Sequence, residues 1–443
     1  MTPLVLEQAL TLFDHHKRLD EAEFFVERVR APAPEILRFL RRKPGRHVVF
    51  CGSIGAGKSS ELAYLGRLLN QSTAPRYFVV GLDAAQSVAQ IGTLRPAEML
   101  MLIGAALVRT YQEWWLKKVP DSLLDKLREA FAGAMEGAPR RVEPTRVIEG
   151  VTLLTWAIAS HDAGSAGKAA GGLLGGMGKL LEGKGKRTPI GGLTRESARE
   201  SDSDVVALLE AVNDILQFVR EEDGREPVVL VDGLDKIDVV EELGTIRQLL
   251  CTHVLGGVGA SCIYTAPVTM ALTSEWSTAG QYFECKRLTN MLVSESRIHA
   301  VEPSLIADGR ARMREVVSKR LAAQSLREAD VFEAGTLDLL ITTSGGLLRS
   351  LIQLVGKSME MALDRESSCV AICDAEDAIG EISQNHALGM NAHARKELEH
   401  IAQHGEPSTS ESAMQLLLSS SVVYYRNGSP WWEPAPLVAR LLK

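Results

Sequence analysis

Of nine consecutive residues, Gly52, Ser53, Ile54, Gly55, Ala56, Gly57, Lys58, Ser59 and Ser60, the first eight satisfy the spacing G-x-x-x-x-G-K-[ST] without a gap, and all nine are expected to line the phosphates. Glycines placed this way let backbone N–H groups turn inward on phosphate oxygens. Lys58 then supplies a mobile positive charge to the β and γ phosphates, and the Ser59 hydroxyl is a ligand for Mg²⁺. A second cluster, "VVLVDGLDKID" at 228–238, brings carboxylates to the end of an apolar run. Asp232 follows four apolar residues and is expected as the metal-side acid; Asp235, three further on, is placed to orient an attacking water or accept its proton.

These residues need a scaffold that holds strand ends and helix starts together. "RHVVFC" before the glycine loop reads as a buried parallel strand, and the stretch from Ser59 to about Leu69 as the helix after it. "RYFVVGLD" at 76–83, the strand ending at Asp232, "ASCIYTAP" and "QYFECKRL" supply further strands separated by helices, with no hairpin signal among them. That order predicts an α/β fold with a parallel sheet. Helices are expected over 96–135, with Pro120 marking an end, and over 202–224. In "RAPAPEI", Pro32 and Pro34 predict an extended lead into a helix from Glu35 to Arg42. Trp114 and Trp115 read as packing residues.

From Gly164 to Gly192 glycine density argues against packed helix, since each glycine costs about 1 kcal/mol against alanine. A surface insertion is expected; membrane contact through Lys168, Lys179, Lys184, Lys186 and Arg187 is the weaker reading. The whole reads as an N-terminal helical segment at 1–44, a P-loop domain at 45–300 with the insertion at about 160–192, a further segment at 301–390, and a small domain at 391–443.

Composition narrows the classes. With 443 residues, 45% hydrophobic and 24% charged, general disorder and a polytopic membrane protein are both excluded. A net charge of −7 offers no global attraction to nucleic acid. Six scattered cysteines without a C-x-x-C pair fit a reducing compartment, and the first residues carry no secretory pattern, so a cytoplasmic chain is expected. "DKID" imitates a guanine-reading signature but follows the metal aspartate immediately, which leaves ATP by exclusion.

With both motifs placed, "GSIGAGKSSEL" and "VVLVDGLDKID" resemble the first two motifs of AAA+ and STAND P-loop ATPases. "SCIYTAP" is similar to the strand carrying the family's polar sensor, matched by Thr265, and "TSGGLLRSLIQLV" to the lid helix whose arginine reaches the γ phosphate, matched by Arg349. The resemblance implies a helical lid after the sheet and, as in origin-recognition relatives, a winged-helix-like end. The hairpin there is expected around a type I′ turn at Asn427-Gly428. From 391 on, five basic residues face five glutamates, which does not support DNA binding by that end. No Lys or Arg lies between Ser261 and Cys285, where oligomeric relatives carry an arginine finger, so Arg287 or Arg297 would have to substitute. Together with Gly233 in place of the usual glutamate, this implies slow hydrolysis and a switch acting on a protein partner or through self-association, in bacterial signalling or anti-phage defence. A DNA-binding ATPase of origin-recognition or transposition-regulator type and a non-hydrolysing ATP-bound scaffold are the alternatives.

Overall fold

Six-residue runs such as His47–Gly52 have no polar face to give to water, so they must lie inside a sheet covered on both sides. The computed structural model describes residues 4–14, 24–28, 30–71, 76–114, 116–134, 147–148, 151–154, 202–237, 239–273, 275–296 and 298–442. In it, five strands form one parallel sheet: β1 (His47–Gly52), β2 (Tyr77–Asp83), β3 (Glu226–Asp232), β4 (Ser261–Pro267) and β5 (Phe283–Leu288), in the spatial order β2-β3-β4-β1-β5. The register sets Asp83 beside Asp232, Val231 beside Tyr264 and Phe50 beside Thr265, so the ends of β1, β3 and β4 converge. Carboxyl ends of parallel strands are where such sheets take ligands.

Alternate residues of each strand feed two cores. Val49, Cys51, Phe78 and Val80 pack under α4 (Pro96–Arg109), α5 (Asp121–Ala134) and α6 (Asp202–Asp223). Val48, Phe50, Val79 and Leu230 face α2 (Pro32–Arg42) and α3 (Lys58–Asn70). Helix α4 is apolar nearly all round because it is enclosed nearly all round; burying each of its leucines contributes about 1.5–3 kcal/mol. After α7 (Leu243–Leu250) and α8 (Glu275–Tyr282), the chain leaves β5 for the lid: α9 (Pro303–Ala322), α10 (Thr336–Thr343), α11 (Leu348–Asp364) and α12 (Ile372–Leu388). The lid's core includes Leu6, Ala9 and Phe13 from α1 (Leu4–Leu10) and the segment after it, so the N-terminal residues pack with the lid. The C-terminal part comprises α13 (Ala392–His404), α14 (Glu411–Leu418) and a hairpin of β6 (Val422–Asn427) and β7 (Ser429–Pro434).

Three local expectations change. Pro32 and Pro34 lie within the first turn of α2, where the missing N–H groups would have had no helical acceptor, so the helix starts at Pro32 and not at Glu35. The break in 96–135 falls earlier than expected: α4 ends at Arg109, a π turn covers Thr110–Trp114, and Pro120 precedes α5 instead of ending a helix. At the hairpin, Asn427 pairs with Ser429 and Gly428 alone has a positive φ, 80°, a tighter reversal than type I′, which needs both central residues there. The glycine-rich insertion and the side chains of Trp114 and Trp115 lie outside the described residues.

A candidate nucleotide site at the strand ends

Between β1 and α3 the loop turns on Gly55 and Gly57, and Lys58 is the first residue of the helix. The Lys58 side chain is folded back inside the loop. Its Nζ donates to the Gly52 carbonyl at 2.7 Å and the Ser53 carbonyl at 2.9 Å, and meets Asp235 Oδ2 at 2.8 Å. Burial alone pushes the Asp235 carboxyl up, but the Lys58 ammonium, its hydrogen bond and Lys236 bring it below the ordinary carboxylate value. Asp235 is therefore a carboxylate at neutral pH.

One residue along, Ser59 Oγ donates to Asp232 Oδ2 at 2.8 Å, and Asp232 is fully buried at the end of β3. Both are hard oxygen donors. They suit Mg²⁺, which accepts one or two protein oxygens and completes its shell with water and phosphate. Among the described residues no group of three or more His, Cys, Asp or Glu side chains is placed to hold a metal alone. On β4, the Thr265 hydroxyl accepts from the Gly233 N–H at 2.9 Å, so this residue fixes the turn that carries Asp232 and Asp235. Arg349 stands at the start of α11. Its N–H donates to the Gly55 carbonyl at 3.2 Å, and its Cβ lies 2.6 Å from where a side chain on Gly55 would begin. Glycine is required there by the close approach as well as by φ of 77°. The Arg349 side chain is exposed and lines the cavity. Lys58, Asp232 and Asp235 thus meet at the loop, Arg349 reaches it through its N–H and Cβ, and Thr265 touches the turn after β3 instead.

Beside the loop is a cavity of about 450 Å³, within the range of small-ligand sites. Its apolar lining comes from Phe24, Phe25 and Val26 before α2 and from Met291, Val316 and Ile352 of the linker and lid. These residues were not singled out by motif, because apolar contacts leave no spacing signature. Arg28 also escaped. Its guanidinium donates to the carbonyls of Ala56 and, at 2.9 Å, Thr289, and its Nε lies 3.6 Å from Glu61 on α3. Burial lowers the Arg28 pKa against the opposing pull of Glu61; burial raises Glu61, with Arg28 as the chief offset. Arg320 of the lid, pushed down to about 10 by burial, donates to the Leu12 carbonyl at 2.8 Å and also lines the cavity. The C-terminal part touches the loop as well: Ser420 Oγ donates to the Ile54 carbonyl at 2.9 Å. Of the substitute fingers, Arg287 stands beside Cys51 in the register of β5 on β1 and stacks over Trp276 at 5.2 Å, and Arg297 lies outside the described residues.

No family model and no curated protein matches the sequence. Among solved structures, the chain is similar to the Aeropyrum pernix ORC2 protein, solved as ADPNP-ADP complexes, at 11% identity over 98% of this chain and 95% of that one, with a TM-score of 0.41. It is similar also to the Aeropyrum pernix ORC1 protein in complex with DNA, at 12% identity over 100% and 98%, TM-score 0.39. A third is Cdc6p from Pyrobaculum aerophilum, at 13% over 98% and 95%, TM-score 0.36. The likeness is one of overall outline alone. At such identities and scores it says nothing of chemistry, which rests on the residues above. Among the described residues, no helix is long and apolar enough to cross a membrane.

Proposed function

We propose that this chain is an ATP-binding, slowly hydrolysing regulatory ATPase that uses Mg²⁺ and acts as a nucleotide-dependent switch on a protein partner. The observation that carries the reading is the joining of Lys58 to Asp235 and of Ser59 to Asp232 within one glycine loop, with the lid helix seated on Gly55. Lys58 is a charge already aimed into the loop, and a triphosphate offers it a stronger partner than a single carboxylate. Bound Mg²⁺ would neutralise charge on the β- and γ-phosphate oxygens, with Ser59 and Asp232 holding it. Asp235, kept ionised and within reach of Lys58, orients a water. Arg349, one residue into α11, links phosphate occupancy to the lid.

The apolar cavity beside the loop favours adenine held by packing, and the aromatic pair Phe24 and Phe25 gives it a wall. A signalling or defence role is the finer reading that the family resemblance supplies. Steady-state phosphate release with ATP and Mg²⁺, run beside nucleotide titration, tests the activity. Wild type should turn over, and Asp235→Ala should bind ATP within about threefold of wild type while losing about 100-fold in turnover, the ordinary weight of a proton-handling group. Tight binding with no turnover in wild type would replace the ATPase by an ATP-bound scaffold.

A further inference from the structure

The highest density of cations outside the nucleotide site is in residues 38–46, where Arg38, Arg41, Arg42, Lys43 and Arg46 occur within nine residues that contain no acid. All five are exposed, and among the described residues none is within salt-bridge distance of a carboxylate. The nearest acid in sequence, Glu35, is engaged by Lys286 at 2.7 Å. Helix α2 ends in this stretch, and the turn into β1 is pinned by the Lys43 N–H on the Phe39 carbonyl at 2.9 Å and the Gly45 N–H on Ser261 Oγ at 3.0 Å. The cations therefore sit on a fixed frame. The run leads into the amino end of β1, and Lys43 and Arg46 at its end stand roughly 20 Å along the strand from the glycine loop.

The favourable field of a helix carboxyl terminus accounts for cations in the last turn, where it contributes about 0.3–1 kcal/mol each. It does not account for Arg38, a turn earlier, or Arg46, beyond the helix. We propose that residues 38–46 form a docking surface for the phosphodiester backbone of a nucleic acid, engaged without regard to base sequence. Phosphate contacts need exposed cations and no apolar core. Four of the five are arginines, whose planar fork matches phosphate oxygens in pairs. A protein interface would call for an apolar centre, and insertion into a lipid surface for a free apolar face. Here Ile36, Leu37 and Leu40 are buried beneath the helix, and the Phe39 ring is overlaid by the Lys43 ammonium at 5.6 Å. The net charge of −7 does not oppose such binding, because at physiological salt a charge is screened beyond about 8 Å.

The test is anisotropy of a labelled random-sequence duplex titrated with the full chain at several salt concentrations. With four to five phosphates neutralised, affinity should fall by about 150- to 500-fold between 50 and 200 mM salt. The triple variant Arg38→Glu, Arg41→Glu, Arg42→Glu should lose at least about tenfold in affinity at low salt and most of the salt slope. ATP binding should stay as in wild type, which separates this surface from the nucleotide reading. The pair Lys43→Glu, Arg46→Glu, off the helix body, gives a second reading with the same expected direction should the triple variant fail to fold. Absence of duplex binding by wild type at 50 mM salt, or equal affinity and slope in the variants, overturns the proposal. So does retention on vesicles containing anionic lipid without retention on duplex, which reassigns the surface to a membrane.

Discussion

Lys58 follows the carboxyl end of β1 and the basic run of 38–46 leads into its amino end, and the protein treats their charges in opposite ways. Lys58 is 4% exposed and surrounded by two carbonyls and a carboxylate. Arg38, Arg41 and Arg42 are exposed, with no carboxylate among the described residues beside them. A buried, paired charge is organised before its ligand arrives, is little screened by salt, and leaves a costly hole if removed. An exposed, unpaired charge exchanges counterions with water, so what it binds is set by ionic strength. The two ends of β1 can therefore both meet phosphate and yet respond to different conditions.

Lys58→Ala separates them most strongly. It removes the phosphate-directed charge and leaves Asp235 buried without its partner, so nucleotide affinity should fall by about 100-fold or more. In wild type, raising salt from 50 to 200 mM should change ATP affinity far less than duplex affinity, a comparison made by two titrations of one preparation. If both fall in parallel, the contrast between the ends is lost and the loop is more open to solvent than its hydrogen bonds imply.

Arg28→Ala is expected to act next in size, on stability. The Arg28–Glu61 pair is buried on both sides, and stripping one partner from such a pair costs about 3–5 kcal/mol. Adding Glu61→Gln should restore part of the loss, because the uncompensated carboxylate goes with it. Urea midpoints of the single and double variants measure the coupling. Equal losses in single and double variants would mean that Arg28 acts through its bonds to the Ala56 and Thr289 carbonyls and not through Glu61.

Much of the phosphate end was legible in the sequence because backbone geometry dictates it: a loop that turns N–H groups inward needs glycines at fixed intervals, and a strand that ends beside it needs its acid at the boundary. Thr265 and Arg349 became legible through resemblance, and their positions on β4 and α11 follow from the register and from the close contact at Gly55. Phe24, Phe25 and Arg28 were not legible. They reach the site by tertiary packing of a segment far from the loop in sequence, and packing of this kind is satisfied by many residue types. The prolines of α2 misled for a local reason: they forbid helix interiors, whereas a first turn accepts them. The basic run at 38–46 was in plain view, yet net charge averages it away; its exposure, with no carboxylate partner among the described residues, gives it meaning.

The smallest effect concerns pH and tests whether the Lys58–Asp235 pair belongs on the buried side of the comparison. Asp235 has a folded-state pKa below its ordinary 3.8, so its stabilising contribution is fully present above 3.8 and is lost as pH falls through the lower folded value. Asp235→Asn has no such titration. Wild type should therefore be more stable than the variant near neutral pH, and the gap in urea midpoint should narrow progressively below pH 3.8. Other carboxylates protonate in the same range and shift both proteins together, which is why the difference between them, and not either curve alone, reports this pair. A gap that stays constant down to acid conditions would mean that Asp235 does not depend on Lys58 for its charge, and the two would then have to be treated as separate residues that share a loop.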